Sequence, residues 1–147
     1  MRYWVEVTSG LKMEGALNST MAIYAPLTTR YQNQFSNVER GDIVLHYMTT
    51  SLTKRDWMSS IVGVSTIDEH PRVVRKKIIA QCSRTTIFPV PIHLKSIKAM
   101  KNKSDYLEKL LNVNMQQYLS EISQSDFIQI MALNSENKKL LLERGLL

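Results

Sequence analysis

The sequence has little cysteine and little glycine. It contains one cysteine, Cys82, and five glycines in 147 residues. A single cysteine cannot form an internal disulfide or supply a cysteine-based metal site, and the scattered glycines form no phosphate-binding loop. No apolar run approaches the roughly 18 residues of a membrane span, and the first residues lack the apolar core of a signal peptide. We therefore expect a cytoplasmic domain without a membrane contact.

Motifs for metal binding and catalysis are also missing. The three histidines, His46, His70 and His93, are isolated and do not show metal-ligand spacing. No nucleophile elbow is present, and the few carboxylates do not form an evident acid–base pair. We therefore expect no metal, no cofactor and no enzymatic activity. His46 lies within an apolar segment, where a hydrogen-bonded interior histidine is the expected role.

Acidic residues are absent from residues 71–104, a segment that carries nine basic residues. The flanking segments 1–70 and 105–147 each carry more acidic than basic residues, so this segment accounts for the whole net charge of +6. Such a segment is typical of a surface that binds a polyanion. A solvated lysine-rich face is the alternative. The candidate phosphate-binding residues are Arg72, Arg75, Lys76, Lys77 and Arg84.

Strand patterns dominate the first two thirds of the chain. A composition with 44% hydrophobic residues predicts one globular domain over residues 1–147. Gly41 and Asp42 form a turn signal before a strand, and Pro89 and Pro91 restrict the last strand to an edge or a bulge. A long hairpin loop is expected over residues 50–58, and a loop with a short helix over 9–22. The predicted strands cover residues 2–8, 43–49, 60–67, 76–82 and 85–94.

Helical patterns follow residue 104. They cover residues 104–112, 114–122, 125–133 and 135–145, with Ser104, Ser125 and Ser135 as candidate N-caps and Gly145 as a C-terminal cap. Strands first and helices last predict an α+β fold. Five to six short strands that must hide their edges favour a small β-barrel with peripheral helices concentrated at the C-terminus.

Several segments resemble EVE domains. These segments are the opening strand Tyr3–Val7, the sequence Ile23–Pro26, the run Val38–Tyr47 with its Gly-Asp turn, and the return strand Ile61–Val64. The terminal segment from Phe127 to Leu147 is similar to the family's final helices. EVE domains are related to YTH domains, and both belong to the PUA-like superfamily of small barrels. The resemblance spans nearly the whole chain and implies a PUA-like fold.

The resemblance implies a reader of modified nucleobases. The expected ligand is a methylated adenine or a modified cytosine, with DNA favoured over RNA. A base in a duplex must be flipped out to enter a pocket, and a basic rim would hold the flanking phosphates. Related domains also form the recognition part of modification-dependent restriction systems of the McrBC type. An effector domain or subunit, such as a nuclease or an NTPase, is therefore a further expected partner.

The family's base-binding positions can be carried over onto this sequence. Tyr24 stands where the family has its first cage aromatic, and Tyr47 matches the aromatic that ends the Gly-Asp strand. Trp57 lies in the loop that overhangs the pocket, and covering the end of the barrel is the alternative for it. Trp4 is a further candidate, although packing against a C-terminal helix is the alternative for it. Two polar residues that end the first strand, Thr8 and Ser9, match positions that bond the base edge.

One segment departs from the YTH pattern. Residues 70–82 contain no aromatic residue where YTH domains place a second cage tryptophan. The second wall would therefore come from Trp57, Tyr47 or Trp4, or the pocket would be more open.

Three other functions are compatible with the sequence. A general PUA-like RNA-binding module would bind through shape and phosphate contacts without a cage. An amidohydrolase similar to ASCH-type relatives would need Lys12 to meet Glu14 or Glu6. A protein-interaction domain would use the basic segment to bind an acidic partner.

Overall fold

The computed structural model describes residues 1–8, 21–49, 57–115 and 117–147. Within these residues seven strands form one mixed sheet with the order β2-β6-β4-β3-β1-β7, and β5 pairs with β6. Only β1 and β3 run parallel. The strands are β1 (Tyr3–Val7), β2 (Met21–Pro26), β3 (Ile43–Met48), β4 (Ser60–Ile67), β5 (Arg72–Val74), β6 (Lys77–His93) and β7 (Leu119–Ile122).

Four of the five described helices come after β6 in sequence. The five helices are α1 (Thr29–Phe35), α2 (Leu94–Lys98), α3 (Asp105–Asn112), α4 (Gln124–Ala132) and α5 (Ser135–Glu143). None of the helices in the described residues is long and apolar enough to cross a membrane. The sheet curves into a half-barrel with helices that are mostly C-terminal, which confirms the predicted α+β class. The described sheet has seven strands, whereas the sequence predicts five to six.

Each face of the curved sheet is covered by its own hydrophobic cluster. The helix-side cluster joins one face of β1, β3 and β4 to α3, α4 and α5, and it includes Leu45, Leu107 and Phe127. The inner cluster joins the opposite face to β2 and α1, and it includes Trp4, Phe35 and Trp57. The central strands are therefore buried on both faces. The prediction of a half-buried β1 is wrong, because β1 lies between β3 and β7 under both clusters.

β6 is one strand of 17 residues where the sequence predicts two. Its first part pairs with β2 and β5, and its second part pairs with β4. Arg84 lies near the change of partner with a φ of 53°. Pro89 and Pro91 lie in a register shift between the pairs Ile61–Ile92 and Gly63–Ile87. The predicted bulge is confirmed, because proline cannot donate to the ladder.

Two other secondary-structure predictions are wrong. Residues 119–122, predicted as helix, form strand β7, which pairs antiparallel with β1. The pairing with β1 overrides the helical pattern of the segment.

Two N-caps also differ, because Ser123 and Asn134 cap α4 and α5 in place of Ser125 and Ser135. Ser104 caps α3 as predicted.

Turn and cap glycines behave as the sequence predicts. Gly41 has a φ of 93° in the turn before β3, and Gly145 has a φ of 69° after α5. Both values lie in the region that favours glycine.

Strand β2 begins in the segment 9–22, where we expected a loop with a short helix. Residues 9–20 of that segment lie outside the described residues.

A chain of hydrogen bonds crosses four neighbouring strands inside the protein. A hydrogen bond of 2.7 Å joins Oε1 of Glu6 on β1 to Nδ1 of His46 on β3. His46 Nε2 lies 2.6 Å from the Ser65 hydroxyl on β4. Ser65 in turn lies 2.7 Å from the Thr85 hydroxyl on β6. His46 is fully buried and both ring nitrogens have partners, which confirms its predicted role as a satisfied interior histidine.

We predict that His46→Ala lowers the free energy of unfolding by about 3–5 kcal/mol, because it breaks the buried pair with Glu6 and removes the bond to Ser65. The same substitution at the exposed His70, whose ring bonds one backbone carbonyl, serves as the control and should lower it by about 1 kcal/mol or less. Urea denaturation of both variants measures the difference. Equal losses in the two variants would contradict the structural role of the chain of hydrogen bonds.

Candidate nucleic-acid interface

Four of the five predicted phosphate-binding residues lie on one hairpin. Arg72 is on β5, Arg75 and Lys76 form the turn, and Lys77 begins β6. All four are exposed. Arg72 bonds Glu69 at 3.2 Å, so its charge is partly compensated. The other three place positive charge at the tip of the hairpin.

The hairpin turn has an unusual backbone. Arg75 and Lys76 have φ values of 49° and 62°, which are left-handed for two consecutive residues that are not glycine. Two-residue hairpins of this type favour Asn-Gly, and a non-glycine residue in this region costs on the order of 1 kcal/mol or more. The turn therefore has two basic residues at positions where Asn-Gly would make the hairpin more stable.

Tyr24 lies beside this hairpin. Its neighbours Ile23 and Ala25 are buried, whereas the Tyr24 side chain points to the other face of β2 and is 46% exposed. Lys77 Nζ lies 5.3 Å from the centre of the Tyr24 ring, within the range of a cation–π contact. We call Tyr24 and residues 72–77 the hairpin surface. It combines an exposed aromatic ring with clustered cations.

Arg84 is not part of the hairpin surface. Its guanidinium donates to the backbone carbonyl of Arg144, just after α5. Arg144 in turn donates to the Thr86 hydroxyl at 3.0 Å. Arg84 therefore connects β6 to the end of the last helix.

Thr8 and Tyr47 contact each other at one end of the sheet, and Trp57 lies two residues before a further partner of Tyr47 but belongs to the other hydrophobic cluster. The Thr8 backbone N–H donates to the Tyr47 carbonyl at 2.8 Å. The Tyr47 hydroxyl bonds Ser59, two residues after Trp57. Burial raises the pKa of the Tyr47 hydroxyl above its ordinary value of 10.0, and the bond to Ser59 offsets part of the rise. Ser9, predicted beside Thr8, lies outside the described residues.

The functional groups of these three residues are all buried. The Tyr47 and Trp57 side chains are 1% and 3% exposed, and they belong to the helix-side and the inner cluster respectively. The Thr8 hydroxyl is buried and has no hydrogen-bond partner within the described ranges. An unpaired buried hydroxyl is unfavourable, so a partner that reaches it would gain a hydrogen bond.

A cavity of about 430 Å³ lies beside Trp57. Its wall is formed by Trp57 and Ser60 on one side and by the β6 bulge on the other, with Phe88, Pro89, Val90, Pro91 and His93. Polar and apolar surface contribute nearly equally to this lining, and the volume is within the range of small-ligand sites. The bulge residues were not predicted as site residues. The two prolines within an apolar strand are the feature of the sequence that indicates a bulge at this position.

Trp4 lies apart from this group. Its indole N–H donates to the buried carboxylate of Asp42 at 2.9 Å, and the same carboxylate accepts from the backbone N–H groups of Arg2 and Glu39. Trp4 is 3% exposed and belongs to the inner cluster. Its expected packing against a C-terminal helix is therefore replaced by packing inside the half-barrel.

Ser65, His46 and Glu6 have the connectivity of a serine–histidine–acid triad. Ser65 and His46 are fully buried, and Glu6 is 2% exposed. A substrate cannot reach the Ser65 hydroxyl, which already bonds Thr85. The arrangement is therefore a structural network. For the amidohydrolase alternative, Glu6 is held by His46, and Lys12 and Glu14 lie outside the described residues.

Solved structures share this fold. The chain is 13% identical to Rpa0253 from Rhodopseudomonas palustris, with a TM-score of 0.68 over 90% of this chain and 92% of that chain. It is 15% identical to human THYN1, solved in complex with 5-methylcytosine containing DNA, with a TM-score of 0.61 over 90% and 97%. The N-terminal domain of Staphylothermus marinus McrB is 11% identical, with a TM-score of 0.56 over 88% and 93%.

The chain has the PUA-like fold. This confirms, at the level of fold, what the resemblance to EVE domains implies. The sequence matches no protein-family model and no curated protein.

We predict that Thr8→Val leaves the free energy of unfolding unchanged or raises it by up to about 1 kcal/mol, because the lost hydroxyl has no partner within the described ranges. Thr86→Val is the matched control. The Thr86 hydroxyl bonds Arg84 and Arg144, so its loss should cost about 1–2 kcal/mol. Urea denaturation measures both. A loss at Thr8 as large as that at Thr86 would show that the Thr8 hydroxyl is paired.

Proposed function

We propose that this chain is a DNA-binding domain that reads a modified nucleobase. The observation that carries the proposal is the hairpin surface, where the exposed Tyr24 ring lies beside Lys77 and the basic turn. Proteins that bind single-stranded or extruded bases combine aromatic stacking faces with nearby cations. Residues 71–104 contain no acidic residue, and the nearby Glu69 carboxylate pairs with Arg72.

The strained turn supports a binding role for the hairpin. Arg75 and Lys76 occupy left-handed positions that do not favour them. Strain of this kind is retained where the side chains serve a purpose. Phosphate contacts from Arg75, Lys76 and Lys77 would supply sequence-independent affinity.

Selectivity for the modification is assigned to the other end of the sheet. We place the flipped base in the cavity beside Trp57, where burial of an added methyl group against the apolar part of the lining contributes roughly 0.8 kcal/mol. The Thr8 hydroxyl, which has no partner among the described residues, lies at the same end of the sheet, through the backbone bond of Thr8 to Tyr47, and would bond the base edge. Tyr24, on the hairpin surface, would stack on a base near the flipped one, and this contact would help to hold the modified base out of the duplex.

The structural neighbours support DNA as the partner. Human THYN1 was solved with 5-methylcytosine containing DNA, and another neighbour is the N-terminal domain of an McrB protein. We propose that residues 1–147 act as one recognition domain. An effector domain or subunit, such as a nuclease or an NTPase, would then act on the DNA that this domain selects.

We predict that Tyr24→Ala lowers the affinity for a 5-methylcytosine probe about tenfold, because stacking on an aromatic side chain contributes about 1–3 kcal/mol per base. Weak, salt-dependent binding should remain, and the preference over unmodified DNA should fall. Tyr24→Phe keeps the stacking face and should keep the preference. Fluorescence anisotropy with matched methylated and unmethylated oligonucleotides measures both variants. Equal loss on the two probes would remove Tyr24 from the recognition of the modification.

A second prediction concerns the turn. Replacing Arg75-Lys76 by Asn-Gly should stabilise the hairpin, because Asn-Gly suits the left-handed turn. The same change should weaken binding to all DNA probes and reduce the slope of log K against log salt by about two phosphate contacts. The control is the pair Lys138→Gln and Lys139→Gln on α5, which removes the same charge elsewhere. An unchanged slope in the hairpin variant, or an equal change in the control, would remove the hairpin from the interface.

A further inference from the structure

The two parts of the proposed interface are connected through α1. The hairpin surface is one part, and Thr8 with the cavity beside Trp57 is the other. Leu27 follows β2 directly, and its backbone N–H donates to the carbonyl of Lys76 in the hairpin turn at 2.9 Å. Thr28 then caps α1. The helix therefore begins beside the basic turn.

An aromatic pair joins α1 to the end of the sheet that carries Thr8. The rings of Tyr31 on α1 and Tyr118, directly before β7, have centres 4.7 Å apart and meet at 67°. The backbone carbonyl of Tyr118 accepts from the N–H of Val7 at 3.4 Å, so Tyr118 lies next to Thr8. Tyr118 is 40% exposed. Part of its ring is therefore available for stacking on a base.

Arg30 supplies a cation beside this pair. Its guanidinium carbon lies 5.7 Å from the centre of the Tyr31 ring, and its side chain is exposed. Arg30 forms no ion pair with the residues that the structure describes. Its charge is therefore available to a phosphate, which arginine binds through paired N–H donors.

Acidic residues are absent from the segments that form this surface. Residues 15–38, which contain α1, and residues 109–120, which contain Tyr118, have no aspartate or glutamate. Glu121, the next acidic residue after Tyr118, pairs with Arg2 at 3.3 Å. The surface from the hairpin to Thr8 therefore has the sign of charge that a phosphate backbone requires.

The same arrangement of a cation over an aromatic ring occurs twice on this surface, at Tyr24 with Lys77 and at Tyr31 with Arg30. Repeated aromatic faces beside cations are typical of proteins that bind single-stranded nucleic acid. Leu27 and Tyr31 are four residues apart, so their Cα atoms are at most about 14 Å apart. A strand with the B-DNA rise of about 3.4 Å per nucleotide covers this distance with about four nucleotides.

We propose that a single-stranded segment of DNA crosses α1 between the hairpin surface and Thr8. Arg30 contacts a phosphate, and Tyr118, supported by Tyr31, stacks on a base within about four nucleotides of the modified base. The inference rests on the proposed function and deepens it, because it gives the strand that carries the flipped base a path from the basic turn to the cavity beside Trp57.

The test is a scan of abasic sites in a single-stranded DNA probe with one 5-methylcytosine. Each probe lacks one base at a different distance from the modified base, and fluorescence anisotropy measures its affinity. In the wild-type protein, one position within about four nucleotides should lose about tenfold in affinity, because its base no longer stacks on Tyr118. Tyr118→Ala should bind the intact probe about tenfold more weakly, and the abasic site at that position should then cost nothing further.

Matched variants separate binding from folding. Tyr118→Leu keeps an apolar contact with Tyr31 but removes the stacking face, so it should bind as weakly as Tyr118→Ala with a smaller loss of stability in urea denaturation. Tyr118→Phe should bind like the wild type. Tyr106→Ala is the control and should change nothing, because Tyr106 is 75% exposed but lies beside Ile122, at the opposite end of β7.

The phosphate contact is tested through the salt dependence of binding. Arg30→Gln should reduce the slope of log K against log salt by one contact, or about 0.7 for a single strand. Lys139→Gln on α5 removes the same charge elsewhere and should leave the slope unchanged.

The inference and the proposed function fail in different ways. If the wild-type protein ignores the modification, but Tyr118→Ala and Arg30→Gln still weaken binding to unmodified oligo(dT), the proposed function fails and the path over α1 remains. If the wild-type protein prefers the modified probe, but Tyr118→Ala binds like Tyr106→Ala or Tyr118→Leu binds like the wild type, the path over α1 is overturned.

Discussion

The chain of hydrogen bonds from Glu6 through His46 and Ser65 to Thr85 is the constraint on which the half-barrel depends. It crosses β1, β3, β4 and β6, which are neighbours in the sheet. Buried polar groups are stable only when their partners are in place. The four strands must therefore keep one register, since a shift of one residue would turn these side chains to the opposite face. This explains a polar network within an otherwise apolar interior.

Because the interior is fixed by this network, the proposed binding surfaces lie at the edges of the sheet. The hairpin surface and the cavity beside Trp57 lie where strands end or bulge. Each uses a different chemistry: clustered cations with an aromatic ring in the first, and walls of mixed polarity in the second. Because the central strands are fixed, the residues of each surface can change without altering the other. We therefore assign affinity for phosphates and selectivity for a base to different residues.

The sequence predicts those features that depend on local chemistry. The turn at Gly41, the strands β3 and β4 and the proline bulge follow from glycine conformation, apolar runs and the missing proline donor. The burial of Trp4 could not be predicted, because it depends on Asp42, 38 residues away. Strand β7 was missed for the same reason, since its pairing with β1 overrides a helical pattern.

The central claim is that the chain distinguishes a modified base from an unmodified one. The most direct measurement is an anisotropy titration of the wild-type protein at two salt concentrations. The probes are matched DNA and RNA oligonucleotides with unmodified bases, 5-methylcytosine, 5-hydroxymethylcytosine or N6-methyladenine. The account predicts at least a tenfold preference for one modified DNA probe, or about 1.4 kcal/mol, which persists at the higher salt. Binding that ignores the modification and disappears with salt would contradict it and leave only a basic surface.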